Sequence, residues 1–373
     1  MKLKNFTLTW LLAVCFLSPL TAQNFDIYIS DAGNFNLPPW QILKFDENGE
    51  NGEVFISTHL AWPQDILFLE NQNTVLISNL NSGAISKFDA TTGSFIGEFA
   101  TGIGGPTRME IGPDSLLYVL QWKGNGKVKR YKPDGTFVDD FTATGVNNSI
   151  GLDWDANGSL YVSSFSGKYV RKFGPYGADL GNFISSNLAG PTNIWFAGNG
   201  DLMVVDYSGG SVKRFDSSGN FLGVFISGLP QGEGVDFMPN GNIVIGSGGT
   251  SSVRAYDASG TFIKNLVPPG SLGLKVPNAV VFRQIMANPT HEVYKDVAFV
   301  TPSVGVQFQI SNPNPSQPFL SCEVFDTSGM FVRKIIFADH AIWDASNLAN
   351  GVYHIRAKLP DGAIARQKVV VQK

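Results

Sequence analysis

From Asp26 to Phe282 the chain alternates short apolar runs with clusters of Gly, Asn, Asp and Ser, a pattern of strands and tight turns rather than helices. Residues 194–225 show it most plainly. Runs at 194–196, 202–205, 212–215 and 221–225 read as four successive strands. Asn199-Gly200 closes the first hairpin and Asp216-Ser217-Ser218-Gly219 the second, Gly supplying the positive φ such turns need. Equivalent turns stand at Asn157-Gly158, Asn240-Gly241, Asp134-Gly135 and 257–260.

The third strand of this unit carries a motif found six times: a β-branched residue, two positions, then an aromatic, usually with Lys or Arg before it. Its aromatics are Phe45, Phe88, Tyr131, Phe173, Phe215 and Tyr256. They lie 43, 43, 42, 42 and 41 positions apart by subtraction, the period of a four-stranded propeller blade. Six blades follow. Repeat one lacks an inner strand, and repeat six is followed by a surplus strand-like run at 277–282. The two fragments complete one blade, so the ring is expected to close by pairing the N-terminal strands with residues 277–282, which removes free sheet edges. The fold class is therefore all-β, a six-bladed β-propeller over 23–285 followed by a small immunoglobulin-like β-sandwich over 286–373.

Pro191-Thr192-Asn193, the run Leu202-Met203-Val204-Val205-Asp206 and residues 212–219 together resemble a unit of the NHL family of propellers. That resemblance implies fold; propellers of this kind host binding modules, lyases and lactonases alike. Beyond the linker at 286–290, strands are expected at 307–310, 322–325, 331–335, 352–356 and 368–371. Val352, Ile355, Val369 and Val371 are expected in the core, and Gly351 in a turn. Residues 324–329, 348–356 and 368–373 resemble, in order, the blocks of a type IX secretion system C-terminal sorting domain of type A; Gly329, Gly351, Tyr353, Lys368 and Lys373 stand in them. The resemblance implies a partner in the outer-membrane secretion machinery and a final place outside the cell or on its surface.

The N-terminus fits such a route. Lys2 and Lys4, an apolar run over 9–17 and the small-residue site Leu20-Thr21-Ala22 read as a signal peptide over 1–22, with the mature chain beginning near Gln23. Cys15 would leave with it, so the mature chain has Cys322 as its lone thiol and no disulfide. No later apolar run reaches the roughly 18 residues of a membrane-spanning helix. With a formal net charge of −4 and no dense basic tract, nucleic acid is excluded as a natural partner.

Propeller ligands are expected around the channel, on the face formed by the loops entering the inner strands and those leaving the second strands. The entry loops place Gln64, Thr107, Ser149, Thr192, Glu233 and Asn278 there, followed by Asp65, Arg108, Ile150, Asn193, Gly234 and Ala279. The second strands end in Asp31, Asn79, Gln121, Ser164, Asp206 and Ser247. The candidate binding face is therefore Asp31, Gln64, Asp65, Arg108, Gln121, Asn193, Asp206, Glu233 and Asn278. Gly232-Glu233-Gly234 and Pro277-Asn278-Ala279 resemble entry motifs of gluconolactonase-type propellers, which implies calcium on Glu233 and Asn278. Thr107, Ser149 and Thr192 depart from that family's further ligands. Zinc chemistry or a Ser-His-Asp set would have to draw on His59, the sole propeller histidine. The expected function is an exported, non-catalytic propeller binding protein, peptide or glycan; the alternative is a calcium-dependent lactonase-like or lyase-like enzyme on the same face. Trp62, Trp122 and Trp195 are the aromatic candidates for such contacts.

Overall fold

The computed structural model describes residues 25–284, 294–295, 299–312, 319, 321–326, 331–335, 340–359 and 364–373. Residues 1–22, expected to be a signal peptide, the expected linker at 286–290 and Gly329 lie outside the described residues. The chain forms two compact units, Met1–Ile285 and Met286–Lys373.

The first unit is a six-bladed β-propeller, each blade a four-stranded antiparallel sheet. The inner strands of blades 1 to 6 are Pro277–Gln284, Pro63–Leu69, Pro106–Ile111, Ser149–Trp154, Pro191–Phe196 and Gly232–Phe237. Blade 1 is the composite one. Pro277–Gln284 pairs antiparallel with Phe25–Asp31, placing Ile29 opposite Val280 and Ile27 opposite Phe282, and Gln41–Asp46 and Glu53–Ile56 complete the sheet. The seam leaves no unpaired inner edge there.

The repeat motif works by packing. All six third-strand aromatics are buried, with at most 5% of their surface exposed, and they seed the clusters between neighbouring blades. The basic residue before the aromatic points along the blade to local acids: Lys44 to Asp26 at 3.2 Å, Arg130 to Asp139 at 2.6 Å, Lys172 to Asp155 at 3.3 Å and Arg214 to Asp201 at 2.5 Å. Their charges are paired within blades, so no free basic ring arises. The turn that follows has a second task. Gly49 and Gly177 adopt φ of 79° and 78°, and a Cβ on either would lie 1.9 Å from a carbonyl oxygen of the preceding blade, at Leu266 and Phe141. Only glycine serves both the turn and the close approach.

The second unit is a two-sheet β-sandwich. One sheet runs Tyr294–Lys295, Ile364–Val371, Gly351–Lys358, Ser321–Asp326, Phe331–Ile335, with Val304–Gly305 also beside Ile364–Val371. The other holds Val300–Thr301, Gln307–Ser311 and His340–Asp344. The strand at His340–Asp344 is not legible as an alternating run in sequence, because only Trp343 is buried in it. Phe308, Ile310, Cys322, Val324, Trp343, Tyr353, Ile355, Val369 and Val371 form the core. Two expectations are corrected. Val352 lies on the opposite face from Tyr353 and Ile355, as period-two alternation requires, and is only half-buried. Gly351 opens a strand opposite Val371, while the turn falls just before it. Burial pushes the Cys322 thiol up to about 12, so it behaves as a small core hydrophobe.

Candidate functional site

Each second strand ends opposite the first residue of its own blade's inner strand: Asp31 with Pro277, Asn79 with Pro63, Gln121 with Pro106, Ser164 with Ser149, Asp206 with Pro191, Ser247 with Gly232. That register puts each side chain against the loop entering the inner strand, and all six take hold of it. Asp31 Oδ1 accepts the Val276 amide at 2.9 Å, Asn79 Oδ1 the Ala61 amide at 2.8 Å, and Gln121 Oε1 the Gly104 amide at 3.0 Å. Ser164 donates to the Asn147 carbonyl and Ser247 to the Pro230 carbonyl, both at 2.7 Å. Asp206 Oδ1 accepts the Gly190 amide at 2.7 Å, and its Oδ2 takes Lys213 Nζ at 2.6 Å. These residues are latches. Asp31, Gln121 and Asp206 are therefore removed from the expected binding face, because their polar atoms are spent on their own loops and their side chains are buried.

The register also moves one expectation by a residue. Ser149 occupies the position held by Pro in blades 1, 2, 3 and 5, so Ile150 and Gly151 are the blade 4 counterparts of Thr192 and Asn193. Gly151 is needed there, since a Cβ on it would sit 2.3 Å from the Thr192 carbonyl oxygen of the next blade.

The remaining entry residues converge on Arg108. Its Nη1 donates to Asp65 Oδ1 at 3.0 Å and to the Gln64 carbonyl at 3.1 Å, and its Nη2 donates to the Asn278 carbonyl at 3.0 Å. Glu233 Oε1 stands 3.8 Å from Nη2. Three blades beyond its own thus meet at one guanidinium, whose planar fork suits several acceptors at once. All five side chains are buried, yet Gln64 Nε2, Arg108 Nε, Glu233 Oε1 and Asn278 Oδ1 have no hydrogen-bond partner among the described residues. Buried polar atoms are rarely left so. Burial, opposed by Arg108, pushes Glu233 up to about 7.

Asp65 and Arg108 also line a cavity of about 770 Å³. It extends along the later residues of the inner strands to the hairpin turn at Gly198 and Asn199, at the end of the channel opposite the entry loops. Asn193 and Trp195 line it as well, joined by three acids that sequence reasoning did not single out: Glu110, Asp153 and Asp236. They occupy the fifth position of the inner strands of blades 3, 4 and 6, two residues past Arg108 in the case of Glu110, and period two turns both positions to the channel. Asp153 Oδ2 accepts the Phe196 amide of the next blade at 2.7 Å, and Asp236 Oδ2 the Phe282 amide at 2.7 Å; Asp65 Oδ2 does the same with Met109 at 2.7 Å. Burial raises Asp153 and Asp236. Glu110, pushed up to about 8 by burial and then by the Asp153 and Asp65 charges, makes no hydrogen bond or ion pair among the described residues.

Of the other candidates, Trp195 packs edge-on against Phe237 at the cavity wall, with centroids 5.7 Å apart. Trp62 packs against Phe35 and Trp122 against Phe165. His59 is exposed and stacks on Phe95 at 3.8 Å, so it serves no base within the channel. A calcium ion on Glu233 and Asn278 would sit against the fixed charge of Arg108, and no group of three His, Cys, Asp or Glu side chains suited to a metal occurs among the described residues. The donor set does not fit that ion. In the second unit, Tyr353 is a buried core residue whose hydroxyl donates to the Ala349 carbonyl at 3.0 Å. Lys368 pairs in the sheet with His354, and the Lys373 amide donates to Asn350 Oδ1 at 3.1 Å.

No family model matches the chain, and no curated protein matches it in sequence. Among solved structures it is similar to a chain of the nidogen/laminin complex, with a TM-score of 0.56, 15% identity, and coverage of 69% of this chain and 98% of that one. It is likewise similar to a protein of unknown function from Bacteroides caccae, with a TM-score of 0.56, 14% identity and the same coverages, 69% and 98%. Both likenesses concern the fold.

Proposed function

We propose that this chain is an exported binding module, a propeller that admits part of a protein, peptide or glycan to its channel, carried outside the cell by the C-terminal unit acting as a sorting signal. The observation that supports binding is a cavity of ligand size lined by the carboxyl of Glu110, which has no hydrogen bond or ion pair among the described residues, and by the ring of Trp195. A ligand can satisfy groups that the fold leaves unmet. The alternative, a calcium-dependent lactonase or lyase, has the raised carboxyls of Glu110 and Glu233 in its favour as acid–base groups and the charge of Arg108 beside Glu233 against a bound calcium ion. The sorting role and the secreted or surface-attached location rest on the three C-terminal sequence blocks and the N-terminal signal pattern. No helix among the described residues is long and apolar enough to cross a membrane.

Peptide and glycan arrays probed with the mature chain test the binding role. Wild type is expected to give a defined set of ligands, and Asn193→Trp, which fills the cavity, is expected to lose them. Equal binding by the filled variant, or no ligand of any class, overturns the reading.

A further inference from the structure

We propose that the lower channel binds a short peptide through a basic side chain, with Glu110 as the counter-charge and Trp195 and Phe237 as the apolar wall. This deepens the binding role above and rests on it. The carboxyl of Glu110 lines the cavity without a hydrogen bond or ion pair among the described residues, whereas Asp153 and Asp236 beside it already hold backbone amides. A carboxyl facing a cavity with no partner is a vacancy for a cation. Arg108, only 9% exposed, lines the same cavity, with its two Nη groups committed to Asp65 and to the Gln64 and Asn278 carbonyls. A cation is therefore wanted by this cavity, and a peptide supplies one as the ammonium or guanidinium of Lys or Arg on a long apolar stem.

Size and walls agree. A volume of about 770 Å³ lies in the range of roughly 300–1,000 Å³ typical of small-ligand sites, room for a few residues rather than a folded partner. Trp195 and the exposed-edge Phe237 offer ring faces to the alkyl stem and head of a basic side chain. The other charged groups facing the cavity are Asp65, held by Arg108, the amide-bound Asp153 and Asp236, and Arg214, ion-paired with Asp201. Acids outnumber the one central arginine, so an acidic ligand is disfavoured.

The proposal has a proton signature. Glu110 is held up to about 8 in the free protein, and a bound cation favours its ionised form, so binding near pH 7 releases close to one proton. Titration calorimetry of the mature chain in two buffers of different ionisation enthalpy measures this, with end-blocked Gly-Lys-Gly and Gly-Arg-Gly against Gly-Glu-Gly, Gly-Gly-Gly and a neutral trisaccharide. The basic peptides are expected to bind with proton release. Glu110→Gln, which keeps size and polarity, is expected to weaken them roughly tenfold or more and to abolish the release. Trp195→Leu, a second variant, is expected to weaken them without changing the proton count. Binding of the neutral or acidic peptide or the trisaccharide in place of the basic ones overturns the cation site while leaving the binding role intact. Basic-peptide binding unchanged in a folded Glu110→Gln protein also overturns it. No binding by any probe overturns this site as well, and the arrays then decide the binding role separately.

Discussion

Asp65 and Arg108 belong to neighbouring blades and lock them twice: Asp65 Oδ1 accepts Arg108 Nη1 at 3.0 Å while its Oδ2 accepts the Met109 amide at 2.7 Å. Arg108 in turn reaches the Asn278 carbonyl and Glu233 on two further blades. Removing the guanidinium leaves buried carboxylates without compensation. Arg108→Met is expected to cost about 3–5 kcal/mol in urea unfolding. Adding Glu233→Gln to that variant should recover part of the loss, because one uncompensated charge is gone. A single-variant cost below about 1 kcal/mol contradicts the hub.

The latches make a second test. Asp206→Ala orphans the Gly190 amide and strips half-buried Lys213 of its carboxylate, leaving it the Asn187 carbonyl, whereas Ser164→Ala loses one neutral bond. The first should cost about 3 kcal/mol and the second about 1 kcal/mol. If Asp206 were a ligand residue rather than a latch, its removal would leave the melting temperature in place and change binding instead.

The channel acids fix a pH dependence. Glu110 and Glu233 titrate near 8 and 7 in the folded protein and near 4.5 when unfolded, so between these values the folded state holds protons that the unfolded state releases. Stability from these groups is fully present below about pH 4.5 and is lost as pH rises through 7 and 8. The turn carboxylates Asp46 and Asp89 are held low by backbone amides, and Asp216 by the Asn220 side chain and then backbone amides; they act only at lower pH, outside this window. The urea midpoint is expected to fall between pH 5 and pH 8, by several kcal/mol in stability, and Glu110→Gln should flatten the slope. A midpoint that rises over that range refutes the assignment.

Ring closure can be cut directly. Deleting residues 277–284 exposes Phe25–Asp31 as an edge and uncovers Ile27 and Ile29, both fully buried in the intact blade. The loss should be on the order of 5 kcal/mol or more, from several large side chains and one strand of pairing. Melting within a degree or two of the intact propeller would mean that the seam lies elsewhere.

The sorting role is tested by exchange. Removing residues 288–373 should leave a folded propeller held in the periplasm, since the last strand of its ring ends at Gln284. Fusing those residues to an unrelated reporter should carry it across the outer membrane in a host with this machinery. Surface delivery of the truncated chain, in fractions with a periplasmic control, sinks the sorting role.

Much of the fold was written in the chain. The period between Phe45 and Tyr256 sets six blades, and the surplus strand after Tyr256 sets the closing seam, because a propeller blade is a local unit whose strands are joined by short hairpins. The glycines of the third hairpin turns are also local signals, although their second task against the neighbouring blade is not. The sequence lists polar residues at the entry loops but does not distinguish Asp31 and Asp206, which grip their own loops, from Asp65 and Glu233, which meet Arg108. That difference depends on how neighbouring blades are rotated and spaced around the axis, as do the unbonded carboxyl of Glu110 and the one-residue shift at Ser149. Backbone pairing within a blade is set by nearest neighbours in the chain; contacts across the channel join residues such as Arg108 and Asn278, and only the closed ring brings them within hydrogen-bonding distance.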